Sequence, residues 1–131
     1  MACVRAKIDL TACEGATFDK NFVWKSGDPA EPVDITDYTG VCHIRDRIDD
    51  EEPDFILEDG VGVVVKNQST DPGGYRMYMA PEDTEGACIG NKRRSLVYDL
   101  RLTAPDGTVR MQQFGKFTIE PAVTRPWELT P

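Results

Sequence analysis

Short runs of alternating apolar and polar residues, each halted by a cluster of Gly, Pro or Asp, recur from residue 4 to residue 120. A period of two places successive side chains on opposite faces of a strand, so such a chain folds as successive antiparallel strands rather than helices. Val4, Ala6, Ile8 and Leu10 alternate with Arg5, Lys7 and Asp9. A second run over 16–25 sets Phe18, Phe22 and Trp24 on one face, with Lys20 interrupting it. Ser26-Gly27-Asp28-Pro29-Ala30-Glu31-Pro32 then reverses the chain, after which Val33 and Ile35 resume the apolar pattern. A strand over 40–47 turns Cys42 and Ile44 inward and Val41, His43 and Arg45 outward. Short strands over 54–58 and 60–66 flank Glu58-Asp59-Gly60, which reads as a hairpin turn, with Val61, Val63 and Val65 sharing a face.

Asp71-Pro72-Gly73-Gly74 turns into a strand with Tyr75, Met77 and Met79 on a single side. Residues 81–86 have the composition of one helical turn, with Pro first and acids after it. The strongest alternation is Leu96, Tyr98, Leu100 and Leu102 within 95–103. Ala104-Pro105-Asp106-Gly107 closes a hairpin onto 108–120, where a bulge is expected near Gly115. About eight amphipathic strands in one chain of this length must bury their apolar faces on each other. The reading is an all-β, antiparallel β-sandwich over 1–120, followed by an extended, Pro-rich tail over 121–131. Its expected core includes Phe22, Trp24, Ile44, Tyr98, Leu100 and Phe117.

Fifteen Lys and Arg against 23 Asp and Glu give a net charge of −8, which repels phosphate backbones and argues against nucleic acid as a partner. The longest apolar run, Val63-Val64-Val65, is far short of the roughly 20 residues that cross a bilayer, so no membrane span is expected. The N-terminus lacks a secretory apolar stretch, so Cys3, Cys13, Cys42 and Cys88, with no C-x-x-C pair, are expected to be reduced thiols in a cytoplasm. His43 is the single histidine, and no Gly-x-Ser-x-Gly elbow or glycine-rich phosphate loop is present. No catalytic, cofactor-binding or metal-ligating residue is expected. The acid run over 46–54 lacks the spacing of a calcium loop and reads as a solvated loop. Contact candidates are the basic spot Lys92, Arg93 and Arg94, which could meet Asp49, Asp50, Glu51 and Glu52 of a neighbouring copy. The tail adds Arg125, Trp127 and Leu129 as anchors for adjacent subunits, with Trp127 folding back onto its own sandwich as the alternative.

Three stretches taken together point further. Gly15-Ala16-Thr17-Phe18 leads into Phe22-Val23-Trp24-Lys25 and then Val33-Asp34-Ile35-Thr36-Asp37-Tyr38-Thr39. Ile44-Arg45, Val97-Tyr98-Asp99-Leu100, Pro105-Asp106-Gly107-Thr108-Val109 and Gly115-Lys116-Phe117-Thr118-Ile119 follow in order, ahead of Pro121 and Val123-Thr124-Arg125. This succession, over about residues 14–125, resembles small tailed-phage structural proteins and is similar to the N-terminal immunoglobulin-like β-sandwich of siphophage baseplate upper proteins. Asp37 stands where that pattern has glycine, Lys20 where it is apolar, and 46–54 and 86–94 are longer and more charged. The resemblance implies an immunoglobulin-like sandwich without catalytic residues, assembled in the bacterial host cytoplasm into a virion. Its implied partners are other virion proteins, in a symmetric homo-oligomer, as an assembly or adaptor module of the tail, baseplate or neck. A decoration or cement protein on the phage head is the alternative. A carbohydrate-binding module would need exposed aromatics, for which Tyr38, Tyr78 and Trp127 are the candidates.

Overall fold

Alternation, turn chemistry and burial combine into two packed sheets in a computed structural model that describes residues 6–129. The strands are β1 (Ala6–Lys7), β2 (Leu10–Cys13), β3 (Phe18–Val23), β4 (Lys25–Ser26), β5 (Glu31–Pro32) and β6 (Thr39–Arg45). They continue as β7 (Phe55–Leu57), β8 (Val63–Val65), β9 (Gly74–Met79), β10 (Arg94–Thr103) and β11 (Val109–Glu120). One helical turn, α1 (Pro81–Thr84), joins β9 towards β10, as the Pro and acids at its start require. A six-stranded sheet has the order β1-β11-β10-β6-β7, with β2 also on β11, and packs against a three-stranded sheet β3-β9-β8. β4 and β5 form the reversal at 26–32, pairing Lys25 with Pro32 and Ser26 with Glu31.

β1 and β2 both run parallel to β11, as two halves of one interrupted edge strand. The interruption at Ile8 and Asp9 has a local cause: the Ile8 carbonyl accepts the Tyr98 hydroxyl at 2.6 Å, and Asp9 Oδ1 accepts from the Lys116 amide at 2.9 Å. Counting that edge once, eight strands make the sandwich, and their order is that of an immunoglobulin-like domain. Val4 of the expected first strand, and Cys3, lie outside the described residues.

Strand alternation positions the core. Leu96, Tyr98, Leu100 and Leu102 of β10 are buried, as are Cys42 and Ile44 of β6, Tyr75, Met77 and Met79 of β9, and Phe117 and Ile119 of β11. Phe18 meets Phe117 edge to face at 5.3 Å between ring centres. Phe22 and Trp24 are half-buried, not central as expected, because β3 is an edge of the smaller sheet. Phe22 stacks on Tyr75, and Trp24 lies against Tyr38 with the Arg110 guanidinium 4.3 Å above its ring.

One expected turn and one expected bulge differ. Glu58-Asp59-Gly60 does not join a hairpin: β7 pairs with β6 and β8 with β9, so the chain crosses between sheets there. The Glu58 carbonyl accepts from the amides of Val61, Gly62 and Val63, which winds the crossing tightly and leaves Val61 exposed while Val63 enters the core. Gly62 lies directly on Leu57, where an added methyl group would meet the Leu57 side chain. The bulge in β11 lies at Gln112, since Leu100 pairs with Gln113 and Arg101 with Met111. Gly115 instead pairs regularly with Tyr98; it is glycine because the Ile8 carbonyl and the Asp9 carboxylate approach where a Cβ would sit. Asp37 adopts a left-handed backbone (φ 64°), a conformation that glycine takes freely and Asp tolerates.

Candidate functional site

Outward-facing residues of the six-stranded sheet form rows set by register. Ile56, His43, Asp99, Phe114 and Lys7 lie across one row, and Arg45, Val97 and Lys116 across the next. Arg101 sits beside Val41 two residues away along the strands. Together with Ile48, all of these residues except Ile56 line an open depression of about 690 Å³ on a face that no described element covers. Its floor is mixed: Val41, Val97 and Phe114 supply apolar surface, and Lys7, Arg45, Arg101 and Lys116 outnumber Asp99 as charges. A chain of net charge −8 thus carries a locally basic sheet face. Arg45 donates to the Asp50 carbonyl at 3.1 Å and contacts His43 Nδ1 at 3.3 Å, which ties His43 to its neighbour on the strand. Lys7, Arg101 and Lys116 are exposed, and among the described residues none has a carboxylate partner.

At the corner where β6 ends, the acid loop is organised by one arginine. Arg94 binds Asp46 with two hydrogen bonds, at 3.1 and 2.9 Å, and reaches Asp54 at 2.9 Å. Its guanidinium holds the Asp46 carboxyl below its ordinary value. Asp46, Asp50 and Asp54 bring carboxylate oxygens within 4.8 Å of one another, and Arg94 supplies a cation to that group. Asp50 accepts from the Arg47 amide at 3.0 Å, so the loop is folded on itself. Ile48 is 88% exposed at its tip, and Asp49, Glu51 and Glu52 are exposed with no hydrogen-bond or ion partner among the described residues.

The basic spot that the sequence singled out is largely committed within the chain. Arg94 serves the acid loop, Arg93 pairs with Glu120 at 2.9 Å, and Lys92 is exposed. A basic triplet beside a strand start reads as a surface patch in sequence, whereas the fold brings β10's first residue against the loop after β6. The tail is not extended over its whole length, because Pro126–Leu129 form a 3-10 turn. Trp127 is half-buried with its ring over Gly15, so the fold-back alternative is the one observed. Arg125 donates to the Ala122 carbonyl at 2.7 Å and pairs with Glu128 at 3.0 Å; Leu129 closes the turn. The cause is a staple that sequence reading missed. Buried Glu14 accepts from the Ala122 amide at 3.1 Å and the Cys88 amide at 2.9 Å, and Gly15 donates to Thr84 at 2.8 Å.

Tyr38, Tyr78 and Trp127 do not share a face. Tyr38 packs on Trp24, Tyr78 lies under Arg76 at 4.7 Å and Trp127 covers Gly15. No family model matches the chain, and no curated protein matches it.

Proposed function

We propose that the protein is a non-enzymatic structural component of a tailed-phage virion, an adaptor module that joins other parts of the tail, baseplate or neck. The observation that carries this reading is a broad sheet face of mixed apolar and basic character, covered by no described element, on an immunoglobulin-like sandwich, the fold that the resemblance implies. Fold alone does not define function, so the argument rests on the face. A preformed sheet surface loses little conformational entropy on docking, which suits a part that is used in many copies. The motif segments support the reading as well. The segment after Trp24 passes through the β4–β5 reversal and on to Asp37, which takes a left-handed backbone conformation open to glycine as well.

Gradient-purified particles carrying this protein decide the matter. The expected result is a fixed stoichiometry by quantitative mass spectrometry, roughly six to a few dozen copies per particle for a tail or neck part. Hundreds of copies would move the protein to the head as a decoration protein. Its absence from particles, with the protein left in the soluble lysate, overturns the reading.

A further inference from the structure

We infer that the basic face of the six-stranded sheet is the seat for the acid loop of a second copy of this chain, in a two-fold symmetric pair. This goes beyond the virion reading, which would stand equally for a monomeric adaptor.

Three observations converge. Lys7, Arg101 and Lys116 are exposed cations without carboxylate partners among the described residues, on a face that also offers apolar surface at Val41 and Val97. Asp49, Glu51 and Glu52 are exposed carboxylates equally without partners, beside Ile48, an apolar side chain held almost wholly in water. The chemistry of the loop tip therefore matches the chemistry of the face, acid to base and apolar to apolar.

Their placement supplies the symmetry. The loop rises at the β6–β7 side of the sheet, whereas Lys7 and Lys116 lie at the β1–β11 side. A surface with acids at one side and bases at the other mates with itself by a two-fold rotation about an axis along the strands. That rotation lays the loop of each copy over Lys116 and Lys7 of the other. The loop is already shaped for this by Arg94 and by the Arg47–Asp50 contact, so docking orders little additional chain. Burying Ile48 on the apolar floor gives affinity, while the charges fix register and partner choice.

The test is sedimentation equilibrium of the full chain. The expected result is a monomer–dimer equilibrium that weakens at least tenfold when ionic strength rises from about 0.05 to about 0.5 M. Lys7→Glu with Lys116→Glu, and separately Glu51→Lys with Glu52→Lys, should each give monomers with an unchanged thermal midpoint. An equimolar mixture of the two reversed proteins should dimerise again. A wild type that stays monomeric to about 1 mM overturns the proposal. So does a dimer that neither reversal weakens. A monomeric wild type whose incorporation into particles is lost on Lys7→Glu/Lys116→Glu assigns the face to an acidic virion protein instead, and so leaves the virion reading intact.

Discussion

Gln113 is the polar centre of an apolar core. It is fully buried, it accepts from the Tyr75 hydroxyl, and its amide donates to the Tyr98 hydroxyl at 3.0 Å, which in turn donates to the Ile8 carbonyl. Burial pushes the Tyr75 hydroxyl up to about 12, so the network stays protonated across the physiological range. Gln113→Ala leaves two buried hydroxyl groups without their partner and opens a cavity; we expect a loss of about 2–4 kcal/mol in urea unfolding. Leu100→Ala, a pure truncation in the same layer, should cost about 2–5 kcal/mol, and a value below about 0.5 would mean that the inward face is wrongly assigned. Leu100 was legible in the sequence because its neighbours alternate without a break. Gln113 was not: it faces inward in phase with Phe117 and Ile119, but a polar side chain gives no apolar signal, and the hydroxyl groups that satisfy it come from Tyr75 and Tyr98 on other strands. Glu14 escaped for a different reason. Its partners are backbone amides at residues 88 and 122, which only the tertiary fold brings to it.

At the scale of elements, most strands were readable and most of their connections across sheets were not. The hairpin at 104–107 closes on local chemistry, with Ala104 and Thr108 joined by a backbone hydrogen bond, and periodicity sufficed for it. The crossing at 58–62 depends on Leu57 fitting beneath Gly62, a contact between sheets that no local pattern encodes. The joint between β10 and the acid loop belongs to the same class, and it is sensitive to acid. Arg94 lowers the Asp46 carboxyl relative to its ordinary 3.8, so the pair stabilises the fold above that value. The contribution is lost as pH falls through 3.8 and below. The carboxylate is half-exposed, and solvent screening keeps the effect under about 1 kcal/mol. Arg94→Met should therefore flatten the stability loss between about pH 5 and 3 relative to wild type, measured by thermal midpoints. Equal slopes would remove Asp46 from the account.

For the whole molecule, the ends hold the body together. Glu14 and Gly15 meet the segment after β11 through Ala122 and Trp127, so removing residues 124–131 takes a half-buried indole from the sandwich. We expect a lowered thermal midpoint, corresponding to about 1–2 kcal/mol of lost apolar contact. An unchanged midpoint would show that the indole contributes nothing to the isolated domain. The thiols report on the same packing. Cys13 is exposed, whereas Cys42 and Cys88 are buried and burial raises both thiols above their ordinary value. An Ellman assay on folded protein should therefore label Cys13 readily, and Cys42 and Cys88 only after denaturant is added.

β11, the last strand, is the partner of β1, β2 and β10 at once. During synthesis, β1, β2 and the outer side of β10 stay unpaired until residues 109–120 have been made. Pairings between the two ends of a chain form late, because so much loop must be closed to reach them. Lys7 and Lys116 become neighbours only at that closure. A chain that stops before residue 109 therefore lacks the corner at which Lys7 and Lys116 come together.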